Sequence, residues 1–301
     1  MEYAIETVGL TKIYKGYKAV DNLTIHVPKG KIYGFLGKNG AGKTTTIRMI
    51  MGLIKPNSGK IKIFGREIVN DHKWAAMNIG SIVETPGFYE NLTAKDNLAV
   101  TAELYGVAKR RIEEVLDIVE LKNIEKKKVK EFSLGMKQRL GIANALIHSP
   151  GILILDEPTN GLDPAGIKEM REFLKKLSIE QGISILISSH ILSEIQLLAD
   201  YIGIIDQGGL IEETDISTVA SENQSYLQIE VDKPEEAVEL LSYMKFKYIV
   251  EEGKIKVYCD VEKNAQINHS LVMKGLNVNS LTPMFHSLEE RFLTVTSDKS
   301  A

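Results

Sequence analysis

The stretch Gly37-Lys38-Asn39-Gly40-Ala41-Gly42-Lys43-Thr44 constrains the fold of this chain more than any other. It fits the pattern G-x-x-x-x-G-K-[ST]. Its flanks agree with it. Lys31-Ile32-Tyr33-Gly34-Phe35-Leu36 reads as a short buried strand, and from Thr45 onward the apolar Ile47, Ile50 and Met51 recur at helical spacing. Glycines let the backbone of such a loop curl until successive N–H groups converge on phosphate oxygens. The helix that follows adds the positive end of its dipole. On this reading residues 37–45, Thr45 included, bind the phosphates of a nucleotide. Lys43 reaches the β- and γ-phosphates, and the Thr44 hydroxyl binds Mg²⁺.

A second stretch supplies the acids. Gly151-Ile152-Leu153-Ile154-Leu155-Asp156-Glu157 is a short apolar run ending in two carboxylates. A run this short and this apolar predicts a central strand of a parallel sheet, covered on both faces. The acids then stand at its carboxyl end, where open α/β sheets bind ligands. Asp156 is expected to hold Mg²⁺, directly or through water. Glu157, one residue on, is expected on the other side of the strand end, where a carboxylate orients an attacking water and accepts its proton. Phosphate loop and acidic strand end together predict an ATP or GTP hydrolase.

The remaining chain fits an α/β fold around these two strands. Residues 2–8 and 20–27 predict a hairpin joined by a polar turn that carries Lys12-Ile13-Tyr14-Lys15. Tyr14 offers a flat face on which a purine can stack. Strands are expected at 60–65 and 79–83. Pro86 and Gly87 break the latter into a loop. Thr93-Ala94-Lys95-Asp96 resembles a helix-start box. Helical spacing then runs to about residue 147, with Ile112, Val115, Leu116 and Val119 on one face and Ser133 opening a further helix. Asp163-Pro164 starts another. Residues 183–187 form a buried strand that delivers Ser188-Ser189-His190, and 201–206 and 210–213 complete the sheet.

Near residue 215 the character changes. Residues 216–301 hold thirteen acidic and nine basic side chains. Their pattern predicts strand 226–231, helix 234–244, strands 247–250 and 254–259, helix 264–274 and strand 278–281, a βαββαβ order of the split, ferredoxin-like kind. A last helix is expected at 287–293. The acidic balance of this region, and the net charge of −3 over 301 residues, argue against nucleic acid as a partner. A single cysteine, Cys259, excludes a disulfide framework. Met1 to Glu6 carries no basic start, so a secretory leader is not expected. Nor does any uncharged apolar run approach the roughly 18 residues of a membrane span.

Taken in order, these motifs resemble the ATP-binding-cassette ATPases over residues 1–215. Tyr14 stands where the family's adenine-stacking aromatic stands. Phe132-Ser133-Leu134-Gly135-Met136-Lys137-Gln138-Arg139 occupies the position of the signature Leu-Ser-Gly-Gly-Gln and its basic extension. Asn160-Gly161-Leu162-Asp163 matches the dimer-contacting loop, and Ser188-Ser189-His190 the switch histidine. The resemblance implies a helical subdomain at about 88–150 within a cassette of 1–215, and an accessory α+β domain at 216–301. It implies two copies closing face to face on ATP, with Ser133 and Gly135 of one meeting the γ-phosphate held by the other. Asp163, in the dimer-contacting loop, is expected to join the nucleotide-binding residues, and His190 bonds the γ-phosphate or the attacking water.

Leu134 and Met136 depart from the signature, and Glu84 stands where the family has glutamine beside the metal. Glu84 keeps an oxygen for Mg²⁺ but lacks the amide donor. Residues 84–93 with this signature are similar to the ATPases of bacitracin and lantibiotic immunity exporters, in which glutamate also stands here. That resemblance implies separate transmembrane permease subunits as partners, a second nucleotide-binding subunit, and a place on the inner face of the cell membrane. The alternative is a cassette ATPase without a membrane partner, acting on ribosomes or DNA. Against it stand the single cassette and the short separation of Thr44 from Ser133, with no sustained heptads.

Overall fold

The computed structural model describes residues 2–68, 71–83, 86–124, 127–218, 226–251, 253–259 and 261–284. Glu84 and the expected helix at 287–293 lie outside them. The chain separates into two compact units, Met1–Ile216 and Ser217–Ala301.

In the first unit β1 (Tyr3–Tyr14), β2 (Tyr17–Pro28), β4 (Ser58–Ile63) and β5 (Arg66–Glu67) form an antiparallel sheet in the order β2-β1-β4-β5. The hairpin is tighter than the sequence suggests. Tyr14 ends a strand and pairs with Tyr17, with Lys15 and Gly16 turning at positive φ between them. The expected polar turn is instead strand, because residues on both sides keep cross-strand partners through register shifts at Leu10 and Lys12.

The second sheet contains β3 (Ile32–Leu36), β6 (Ile79–Ile82), β7 (Ile152–Asp156), β8 (Ser184–Ser189), β9 (Tyr201–Asp206) and β10 (Gly209–Asp215), in the order β10-β9-β3-β8-β7-β6. All pairs are parallel except β10 on β9. Every residue of β3, β7 and β8 is buried, as expected of strands covered on both faces. Each buried Leu, Ile or Phe contributes about 1.5–3 kcal/mol, so these three strands add substantially to the driving force. Ile47, Ile50, Ile152, Ile154, Phe35 and Leu186 belong to the core that joins them to the first sheet. A partly buried polar knot ties β10 to β2 and β3. Glu213 accepts from the Tyr33 hydroxyl at 2.6 Å and from the His26 N–H at 2.7 Å. Burial, reinforced by Glu213, pushes the Tyr33 phenol well above its usual pKa.

The helices of this unit are α1 (Lys43–Ile50), α2 (His72–Asn78), α3 (Ala94–Tyr105), α4 (Arg110–Ile118), α5 (Leu134–Leu146), α6 (Pro164–Gln181) and α7 (Leu192–Leu198). Their starts follow the expected chemistry. Thr93 and Asp96 form a reciprocal box at α3, Ser133 accepts from Met136 N at α5, and Asp163 accepts from Gly166 N with Pro164 opening α6. On the amphipathic α4, Ile112, Val115 and Leu116 are buried.

The second unit is a four-stranded antiparallel sheet of β11 (Tyr226–Val231), β12 (Lys247–Glu251), β13 (Lys254–Tyr258) and β14 (Val278–Met284), with α8 (Pro234–Tyr243) and α9 (Asn264–Met273). The order β12-β13-β11-β14 is that of a split βαβ fold. Leu227, Ile229, Ile255 and Val257 pack against Ala237, Leu241, Ile267 and Leu271.

Candidate functional site

The phosphate loop leaves β3 at Leu36 and enters α1 at Lys43. Its start is pinned to the neighbouring strand, since Gly37 N donates to Ser189 O at 3.3 Å. Gly42 caps α1 at φ +109°, and a Cβ there would lie 2.5 Å from the Ala19 carbonyl. Only glycine fits both the conformation and the space. The Lys43 side chain is 5% exposed and curls back over the loop. Its ammonium donates to Gly37 O at 2.7 Å and Lys38 O at 3.3 Å, and lies 3.3 Å from Glu157 Oε1.

The acids sit beside it. The parallel register places Asp156 opposite Ser188. Asp156 is buried, and a buried carboxylate requires partners. It has them: Thr44 Oγ1 donates at 2.9 Å to one oxygen and the Ser188 hydroxyl to the other. Thr44 and Asp156 are therefore two hard oxygen donors held side by side, a donor set that suits Mg²⁺. Glu157 turns out of the strand at φ +50°, unusual for a residue with a side chain, and its N–H donates to Ser188 Oγ at 3.0 Å. That turn swings its carboxylate between Lys43 and His190, whose Nδ1 is 2.6 Å from Glu157 Oε2.

The structure thus brings Lys43, Thr44, Asp156, Glu157 and His190 to one end of the parallel sheet. Tyr14 is 45% exposed at the hairpin tip, with Lys12 Nζ 5.1 Å from its ring centre. Ser133 and Gly135 begin α5. Leu134, between them, meets the loop that follows β7: its Cδ2 lies 3.2 Å from where a Cβ on Gly161 would stand, and Gly161 has φ +80°. Leu134, which departs from the usual signature, is still 43% exposed. Asp163 is occupied in capping α6.

Two groups escaped sequence reasoning. Ser188 holds both acids, and the only available signal was a polar residue ending a buried strand next to an acidic strand end. Glu194 accepts from the Thr159 hydroxyl at 2.6 Å, fixing the turn after Glu157 to α7. Nothing in the spacing of those two residues announces the pair.

Known proteins are similar to this chain over most of its length. The family model described as ABC transporter matches residues 20–160. The chain is 50% identical over 297 residues to a bacitracin transport ATP-binding protein, BcrA, of Bacillus licheniformis, covering 97% of each. It is 49% identical over 208 residues to a lantibiotic transport ATP-binding protein, SrtF, of Streptococcus pyogenes, covering 68% of this chain and 88% of that one. Among solved structures, the dimeric structure of a post-hydrolysis state of an ATP-binding cassette, MJ0796, bound to ADP and Pi superposes with TM-score 0.62 at 25% identity. That match covers 70% of this chain and 98% of the other.

Proposed function

Because this chain belongs to the ATP-binding proteins of ABC transporters, whose ATP hydrolysis is coupled to transport, we propose that it drives export of a peptide antibiotic of the bacitracin or lantibiotic type through separate membrane subunits. The substrate class rests on the relatives named for bacitracin and lantibiotic transport. Among the described residues no helix is long and apolar enough to cross a membrane, so the reading assigns the passage itself to permease partners.

The observation that carries the site assignment is the position of Glu157, between the Lys43 ammonium at 3.3 Å and His190 Nδ1 at 2.6 Å. A γ-phosphate bound by the loop N–H groups competes with Glu157 for Lys43. The carboxylate then turns to a water in line with that phosphate and accepts its proton, while His190 fixes its direction. Thr44 and Asp156 are the residues that would hold Mg²⁺, which neutralises charge on the β- and γ-phosphates when bound. Ser133 and the Gly135 N–H, at the amino end of α5, bind the γ-phosphate held by a second subunit, and Tyr14 stacks on the adenine. Asp163 stays a helix cap that shapes the shared face. ATP is then the bridge of a two-subunit switch, and hydrolysis opens it.

The test is Glu157→Gln. Loss of a general base costs about 10²–10⁴ in turnover, so the variant retains ATP, accumulates as a dimer in size-exclusion chromatography with nucleotide, and no longer confers antibiotic tolerance on cells carrying the membrane subunits. Turnover at the wild-type rate by this variant removes Glu157 from its role. Unchanged antibiotic sensitivity after deletion of the wild-type chain removes the substrate assignment.

A further inference from the structure

β12 is an edge strand. It pairs with β13 on one side, and among the described residues no strand lies on the other. Lys247, Ile249, Val250 and Glu251 are exposed, Ile249 to 44% and Val250 to 48%. Such an edge presents a row of N–H and C=O groups ready to take another strand. Edges that stay single are usually blunted by an inward charge, a proline or a bulge. β12 is short and opens with a lysine, but it carries no proline and no bulge. Its five pairs with β13, from Lys247 with Tyr258 to Glu251 with Lys254, run without a register shift, and its charges stand only at its two ends.

We propose that β12 is the docking edge for β12 of a second copy of this chain, paired antiparallel about a two-fold axis at Ile249. Lys247-Tyr248-Ile249-Val250-Glu251 is self-complementary in that register. Ile249 meets Ile249, each Tyr248 meets the Val250 of the other copy, and each Lys247 meets a Glu251. Aromatic with β-branched, aliphatic with aliphatic and opposite charges are the favourable cross-strand combinations. Lys247 forms no ion pair within its own chain among the described residues, whereas Glu251 holds Lys256 at 2.6 Å through one oxygen. The register is unique. Moving the axis one residue earlier sets Lys247 against Ile249, and one residue later sets Ile249 against Glu251. A two-fold axis also makes the contact closed, so it yields pairs and not filaments.

The pairing uses no nucleotide and no residue of the ATP site, so it is separate from the ATP-bridged dimer. It joins two four-stranded sheets into one of eight and raises the effective concentration of the two nucleotide-binding units for each other. Five strand residues bury little area, so the association is weak and concentration-dependent.

The test uses the full chain without nucleotide, carrying Lys43→Ala so that ATP-bridged dimers are not counted. In a Cys259→Ser background, which removes the one native thiol, Ile249→Cys is expected to form an interchain disulfide under mild oxidant severalfold faster than Tyr243→Cys, whose side chain is 86% exposed. By sedimentation, Lys247→Glu is expected to weaken self-association several-fold, because it sets like charges opposite each other at both ends of the pair. Failure of Ile249→Cys to cross-link faster than Tyr243→Cys overturns the proposal. So does self-association of Lys247→Glu as tight as that of the parent.

Discussion

The Ser188 hydroxyl donates to Asp156 Oδ1 while its oxygen accepts the Glu157 N–H at 3.0 Å. One side chain therefore fixes both acids of the site, the first by its carboxylate and the second by its backbone. Ser188 is wholly buried, so neither contact can be replaced readily by bulk water. Replacing it with alanine leaves a buried carboxylate oxygen short of a partner, while the Glu157 N–H keeps only its longer bond to the Ser188 carbonyl at 3.3 Å.

For Ser188→Ala the expected loss is about 1–3 kcal/mol of stability, from the Asp156 oxygen left without its donor. Asp156 becomes freer to rotate, so half-maximal ATPase activity shifts to higher Mg²⁺ concentration, and turnover falls severalfold. A Mg²⁺ titration of ATPase activity with a thermal melt checks this. A variant that melts lower but keeps the wild-type Mg²⁺ dependence shows that Ser188 serves the fold alone.

Lys43 is the buried cation of the phosphate loop, holding two carbonyls and Glu157. Hydrogen bonds to a charged group are worth about 1.5–3 kcal/mol. Lys43→Ala is therefore expected to weaken ATP binding by about ten- to a hundred-fold, read by titration of a fluorescent nucleotide. Affinity within twofold of the wild type places the phosphates elsewhere.

Gly42 adopts φ +109° with no room for a Cβ. Strain of this kind costs about 1–3 kcal/mol before the clash with Ala19 O is counted. Gly42→Ala is expected to lower Tm by several degrees and to weaken ATP binding, since relief of the clash moves the loop. An unchanged melting curve shows that the loop can take another path at no cost.

His148 stacks on Tyr105 at 4.3 Å and sets Nε2 3.3 Å from Ile79 O. Burial, followed by the nearby Arg111 charge, lowers its pKa, against the opposing hydrogen bond to Ile79. The folded protein therefore resists protonation that the unfolded chain accepts near pH 6.5. Above that pH both states are neutral and the group contributes nothing to the pH dependence. As pH falls below it the unfolded state binds more protons and stability declines. His148→Phe, which keeps a ring against Tyr105, is expected to flatten this decline in Tm measured between neutral and mildly acidic pH. An identical slope in the variant assigns the decline to other groups.

The strands, the loop and the helix starts were legible because each depends on neighbours in the chain. Glycine spacing, an apolar run ending in acids, and a capping Thr93, Ser133 or Asp163 act within one turn or one strand, where local sterics and hydrogen bonding decide the outcome. The βαββαβ order of the second unit was legible for the same reason, its boundaries shifting by no more than three residues. The hairpin at Tyr14 was not, because bulges that keep a strand paired through polar residues leave no periodic trace.

What only the tertiary structure decided is which residues meet. Asp156 and Ser188 are 32 residues apart and Thr44 and Asp156 are 112 apart, and each pair is joined by the parallel register of β3, β8 and β7. The positive φ of Glu157, which aims its carboxylate between Lys43 and His190, goes with its backbone bonds to Ser188 on the neighbouring strand and is not the preference of glutamate. The sequence by itself determined the parts: a phosphate loop, a buried strand tipped with acids, and helices with capped starts. Their arrangement arose when buried strands satisfied their backbone bonds against one another, because register between distant segments is a property of the packed sheet and of no single segment.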